Sequence, residues 1–144
     1  MRNAFSMITA IFIILLMGTV GAFIMNLSAK MVKGTTTQYQ HEQSLLLARS
    51  YTEYAIMAIT ANDRNSSCLN TLSESYGDYT VDVNLSYIGR DLGNCERKLS
   101  DKVQEINSPL NVIIDVYVHY PEPDHPLGDN APKVTYHKRS LQKI

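Results

Sequence analysis

Hydrophobic residues are concentrated in one long run near the start of the chain. No charged residue occurs between Arg2 and Lys30, and the segment from Phe5 to Leu27 is almost entirely apolar. At about 1.5 Å per residue, a helix over this segment is long enough to cross the roughly 30 Å hydrocarbon core of a bilayer. Because a helix that is apolar on every side needs lipid or similar helices around it, we predict a membrane-spanning helix rather than a buried core helix.

A cleaved secretory signal peptide is the alternative interpretation of this segment. Residues 20–22, with the sequence Val-Gly-Ala, resemble a small-residue cleavage site that follows an apolar region. The next residues, 28–62, contain no proline and regain apolar helical periodicity from Leu45 onward. This continuation favours one retained helix over residues 5–62, with its second half packed on a sheet.

Alternation of apolar and polar residues predicts three strands after the helix. They cover residues 79–87, 111–120 and 133–141, and the last of them has a basic edge. Residues 63–77 are predicted to form a loop, and charge and spacing indicate a short helix over 97–106. A long helix followed by antiparallel strands is an α+β arrangement.

The predicted organisation is therefore a leader over residues 1–4, a long helix over 5–62 and a globular α+β domain over 63–144. The first part of the helix, residues 5–27, spans the membrane, and the domain carries a small antiparallel β-sheet. With 144 residues in total, the chain has room for one small domain with a modest core.

The only two cysteines, Cys68 and Cys95, both follow the apolar segment. In an oxidising compartment they should form a disulfide, which would stabilise a domain this small considerably. Two buried free thiols are the alternative. A zinc site is disfavoured because the chain has no CxxC motif and no closely spaced Cys/His pair.

The N-terminus resembles the prepilin signal of type IV pilins and type II secretion pseudopilins. It has a short basic leader that ends in the small residue Ala4, followed by Phe5 at the head of the apolar helix. The resemblance implies that a prepilin peptidase cuts between Ala4 and Phe5 and that the new amino group is N-methylated. It also implies a pilin-like fold in which the apolar helix becomes part of a filament core.

Two positions depart from that family's pattern. Ala4 stands where glycine is usual, and Thr9 stands where a glutamate is usual. In the family, that glutamate is held to pair with the terminal amine of a neighbouring subunit, and Thr9 has no charge to offer. The departure points to a minor or initiating subunit. Gly18 and Gly21 lie in the weakest helix-forming part of the assembly helix, which should loosen there, unless the glycines serve close helix packing.

Catalytic motifs are absent from the sequence, so we do not expect an enzyme or a resident cofactor. The main ligand candidate is a proline-rich acidic loop whose oxygen atoms suit calcium. Its predicted ligands are Glu122, Asp124, Asp129 and Asn130. Three histidines near the second and third strands, His119, His125 and His137, are weaker candidates for a transition-metal site.

The expected function is that of a structural subunit of a type IV pilus or of a type II secretion pseudopilus. The resemblance implies other pilin or pseudopilin subunits, the prepilin peptidase, the inner-membrane assembly platform and membrane lipid as partners. It also implies residence in the bacterial inner membrane with a periplasmic domain, and then in a filament. With a net charge of −1, nucleic acid is not an expected partner. The basic residues near the end, Lys133, Lys138, Arg139 and Lys143, are read as a solvated sheet edge. A single-pass membrane-anchored periplasmic binding module that does not polymerise is the alternative.

Overall fold

The computed structural model describes residues 2–63, 66–90, 92–93, 95–103, 110–123 and 125–144, with the backbone alone at 2–6 and 129. The helix α1 spans Arg2–Ala61, and the strands are β1 Thr71–Tyr76, β2 Tyr79–Gly89, β3 Lys98–Ser100, β4 Leu110–Pro121 and β5 Lys133–Lys143. A short 3-10 helix covers Gly128–Asn130. The predicted α+β class, with one long N-terminal helix and a mainly antiparallel sheet, is confirmed.

The chain divides into two compact units, Met1–Tyr39 and Gln40–Ile144. The described part of the first unit is helix throughout, including Gly18 and Gly21, where the sequence predicted loosening. That prediction is wrong for the structure, because helix propagation is cooperative and each added residue gains a backbone hydrogen bond that outweighs a penalty of about 1 kcal/mol per glycine.

The second unit is built on a sheet with strand order β1-β2-β4-β5. The strands β2 and β4 pair antiparallel from Thr80 opposite His119 to Gly89 opposite Leu110. The β4–β5 pair is also antiparallel, and β3 adds a short parallel pairing to β2 next to β1. Apolar residues alternate along β2 and β4, so one face of the sheet is apolar and the other is polar.

Two local predictions are wrong. Residues 71–76 form the edge strand β1 rather than a loop, and Gly77 makes the tight turn into β2 with a φ of 58°, which glycine adopts without steric cost. Residues 98–100 form β3 rather than part of a helix, since Tyr87 donates its backbone N–H to the carbonyl of Arg97 at 2.9 Å and draws this segment to the sheet. Residues 101–103 are not helical either, and the last three positions of the predicted helix, 104–106, lie outside the described residues.

The hydrophobic core lies between the apolar face of the sheet and the last part of α1. Two small residues of the helix, Ala48 and Ala55, are fully buried there. The buried hydroxyl of Thr52 donates a hydrogen bond to the carbonyl of Ala48 at 2.6 Å, so its polar atom is satisfied within the helix. The core members from the strands are Val81, Val83, Leu85, Tyr87, Leu110, Val112, Ile114, Val116 and Val118.

Candidate functional site

The first unit presents a continuous apolar surface. Its large apolar side chains from Met7 to Val32 are exposed, from 43% for Leu27 to 77% for Met25. Among the described residues, one helix is long and apolar enough to cross a membrane, and none of its most apolar window is buried. Exposed apolar area of this extent needs lipid or other protein around it.

The residues predicted to act in processing and assembly all lie on this helix. The structure describes only the backbone of Ala4 and Phe5, and this backbone is helical. Thr9 is exposed in the next turn. A Cβ added at Gly18 or Gly21 would meet nothing within 4 Å, so within this chain neither glycine is required for close approach to another element.

Polar side chains within the apolar segment are satisfied by the helix itself. The hydroxyl of Thr19 donates to the carbonyl of Leu16 at 2.9 Å, and the amide of Asn26 donates to the carbonyl of Ala22 at 3.1 Å. The hydroxyls of Thr35, Thr36 and Thr37 donate in the same way to carbonyls of the preceding turn. Such bonds pair the threonine hydroxyl donors and one N–H of the Asn26 amide within the helix, which lowers the cost of placing them in an apolar environment.

The disulfide between Cys68 and Cys95 is present, as predicted, and closes a sequence separation of 27 residues. Cys95 is buried, and Cys68 packs against the hydrophobic core. Tyr87, buried on β2, donates its hydroxyl to the carbonyl of Leu69, next to Cys68. The disulfide thus ties the segment that follows α1 to the connection between β2 and β3.

The predicted calcium loop is only partly described. Glu122 donates its backbone N–H to the carbonyl of Pro132 at 3.1 Å, which closes the base of the loop. Asn130 ends the short 3-10 helix, and Gly128 starts it with a φ of 52°. Asp124 and the side chain of Asp129 lie outside the described residues, so calcium binding stays a prediction. In the described portion of the chain, no group of three or more His, Cys, Asp and Glu side chains could hold a metal ion.

Two of the three candidate histidines are brought together, on the polar face of the sheet. The ring of Tyr117 stacks on that of His137 with a centroid distance of 4.4 Å and lies parallel to that of His119 at 6.5 Å. Each imidazole has a carboxylate neighbour of its own, Asp82 for His119 at 3.5 Å and Asp115 for His137 at 2.7 Å. His125 is instead in the β4–β5 loop, where its Nδ1 accepts a hydrogen bond from the backbone N–H of Leu127.

The centre of that polar face is Asp115, which sequence reasoning did not single out. Arg139 binds its carboxylate with two hydrogen bonds, from Nε at 2.7 Å and from Nη2 at 3.0 Å, and His137 adds a third. These bonds, with Arg139 the larger cause and His137 the smaller, hold the pKa of Asp115 below its ordinary value, although burial acts in the opposite direction. The register places Arg139 directly opposite Asp115, so the cluster is fixed by strand pairing.

A groove lies between α1 and the edge strand β1 of the second unit. It has a volume of about 280 Å³ and is lined by Ser50, Tyr51 and Tyr54 from the helix and by Glu74 from the strand. The rings of Tyr51 and Tyr54 meet edge to face at a centroid distance of 6.2 Å. Burial, followed by the charge of Glu74, raises the pKa of the Tyr51 phenol.

Comparison of the chain with protein-family models, with curated proteins and with solved structures gave no match. The geometry described above therefore carries the functional argument.

Proposed function

We propose that this chain is a pilin-like structural subunit, minor or initiating, of a type IV pilus or a type II secretion pseudopilus. The observation that carries the proposal is the apolar surface of residues 7–32, exposed along a helix that continues into a small folded α+β domain. In this proposal the helix first lies in the inner membrane and then packs against the helices of other subunits. Packing against like helices gains van der Waals contacts, and it keeps the apolar side chains out of water once the helix has left the lipid.

The proposed processing follows from the resemblance of the N-terminus. A prepilin peptidase would cut between Ala4 and Phe5, and the methylated amine of Phe5 would lead the mature helix. Thr9 offers no carboxylate to the amine of a neighbouring subunit. The subunit would therefore be recruited through its own Phe5 amine by a partner that carries a glutamate, an arrangement suited to an initiating or terminal position.

The second unit supports a structural role outside the cytoplasm. Its disulfide is of the kind that persists in oxidising compartments such as the periplasm. On its polar face, Asp115, Arg139 and His137 satisfy one another. Such a face gives the domain a rigid, solvated exterior.

The proposal is tested by the N-terminal sequence and intact mass of the protein, taken from membranes and from sheared filaments of its host. We expect a chain that starts at Phe5 with a methylated amine. As a matched control, Ala4→Leu enlarges the residue before the cut and leaves the helix unchanged, so this variant should keep Met1 and stay out of filaments.

Two other outcomes would contradict the proposal. A wild-type chain that starts at Met1 would favour the membrane-anchored binding module that does not polymerise. A chain that starts at Phe23 would show an ordinary secretory signal peptide.

A further inference from the structure

The groove between α1 and β1 places one carboxylate beside two phenol rings. Glu74 belongs to the row of β1 that faces the helix, because its pairing partner on β2 is Val81, a core residue. Within a core-facing row a carboxylate is an unusual choice, since charged groups are rarely placed against an apolar layer without a partner. Its position at the sheet edge keeps it exposed to solvent.

Glu74 has no cationic partner among the described residues. The ion pairs within the described ranges use Asp82, Asp101 and Asp115 as acids. A phenol is neutral at physiological pH, and at Tyr51 burial, followed by the charge of Glu74, raises the pKa further. The negative charge of the groove therefore comes from Glu74 alone, and the rings of Tyr51 and Tyr54 supply its aromatic wall.

We propose that this groove binds the cationic end of a lysine or arginine side chain presented by a neighbouring filament subunit. The choice of partner rests on the function proposed above. A carboxylate gives an ammonium or guanidinium a charge-assisted hydrogen bond, and aromatic rings attract the same cation through their quadrupole. The volume of about 280 Å³ lies just below the range typical of small-molecule sites and suits a single long side chain.

The groove is also accessible to such a partner. Within the described sheet, β1 pairs on one side only, with β2, so its other side is an open edge. Tyr54 is 51% exposed, and its ring can be reached from solvent. A basic side chain from an adjacent subunit can therefore enter beside β1 without displacing any described strand of the sheet.

The experiment is a titration of the full-length protein in detergent micelles, followed by NMR of the tyrosine rings. The probes are the blocked amino acids N-acetyl-lysine methylamide and N-acetyl-arginine methylamide, with N-acetyl-norleucine methylamide as a neutral analogue of lysine. We expect saturable shifts of the Tyr51 and Tyr54 ring signals with the two cationic probes, and at least fivefold weaker binding of the neutral one.

Two variants locate the effect. Glu74→Gln removes the charge and should weaken lysine binding at least fivefold, whereas the matched control Asp78→Asn removes a carboxylate from the nearby β1–β2 turn and should leave binding unchanged. Tyr54→Leu should also weaken binding, and since the ring is half exposed this variant should still fold. Unchanged signals from the buried Tyr87 verify the fold of each variant.

Equal binding of the lysine and norleucine probes would overturn the proposal, as would equal effects of Glu74→Gln and Asp78→Asn. Because the titration uses protein that has not assembled, its result does not depend on N-terminal processing. Failure here would leave the filament assignment standing, and failure of the sequencing test would leave the groove's cation binding as measured.

Discussion

Removal of the disulfide between Cys68 and Cys95 should destabilise the second unit by about 3.6 kcal/mol at 25 °C. The figure follows from the sequence separation of 27 residues, because cross-linking chain ends that far apart lowers the conformational entropy of the unfolded state by a predictable amount. Small domains have a net stability of only about 5–15 kcal/mol, so the loss is a large fraction of the total. Replacing both cysteines, Cys68→Ala with Cys95→Ala, avoids leaving one reactive thiol behind.

The assay is urea unfolding of the full-length protein in detergent micelles. The 60-residue helix would dominate the far-ultraviolet circular dichroism, so that signal would report poorly on the sheet. The chain has nine tyrosines and no tryptophan, and the tyrosine signal in near-ultraviolet circular dichroism is therefore the better probe. With a typical dependence of stability on urea, the midpoint should fall by roughly 2 M. Membrane insertion should be unaffected, because the disulfide lies outside the apolar segment.

Two controls make the result decisive. Wild-type protein treated with a reducing agent should unfold at the midpoint of the double variant. Ser67→Ala, a neighbouring substitution that keeps the cross-link, should unfold as the wild type does. If the double variant unfolds within about 0.3 M of the wild type, the entropic argument does not apply to this domain.

Three further outcomes follow from the fold and the proposed assembly. Ile114→Ala, in the fully buried row of β4, should lower the free energy of unfolding in urea by about 2–5 kcal/mol. Ile113→Ala, on the opposite face, should lower it clearly less. Equal losses would contradict the assignment of faces. Asp115→Asn should cost about 1–2 kcal/mol, discounted because Arg139 is largely exposed. Since the pKa of Asp115 is lowered in the folded state, the ionised carboxylate contributes its full stability above the ordinary pKa of 3.8 and loses it as the pH falls through the folded pKa. The stability of the variant, measured by unfolding at a series of pH values, should therefore fall less steeply in acid than that of the wild type. An equally steep fall would refute this. In the native host, the wild-type subunit should label sheared filaments rarely or at their ends, and the Thr9→Glu variant should label them along their whole length in immunolabelling. Wild-type protein that forms long filaments alone would contradict the minor-subunit proposal.

The strands β2, β4 and β5 were predictable from alternation, and the edge strand β1 was not. Apolar and polar residues alternate along β2 and β4 because one face of each strand is buried against the helix. This burial produces the period of two that predicted the strands. Only Leu72 in β1 is even partly buried, so its sequence carries no such alternation. Its one usable signal was the Gly77 turn before β2, a common hairpin connection.

The polar cluster around Asp115 shows a different limit. Alternation along the second predicted strand puts Asp115 on the face of β4 opposite the core, and the same parity puts Arg139 on that face of β5. Which residues meet across the two strands depends on register, and here the register is set through an eleven-residue proline-rich connection, residues 122–132, whose conformation the sequence pattern does not encode. The groove at Glu74 was missed for the same reason as β1, because it exists only once that strand is paired.

The hydrogen bonds that Thr19, Asn26 and the threonines at 35–37 make to their own helix also determine how the chain tolerates a change of surroundings. An apolar segment of about 35 Å already exceeds the thickness of an average hydrocarbon core. Because the threonine hydroxyls donate to carbonyls of their own helix, lipid can surround a longer part of the helix without leaving a hydroxyl donor unpaired. Lys30 and Lys33 can extend their ammonium groups toward the headgroups, so bilayers of different thickness are accommodated at small cost. For a helix that exchanges lipid for protein neighbours, the consequence is that these polar side chains give up no hydrogen bond in the transfer.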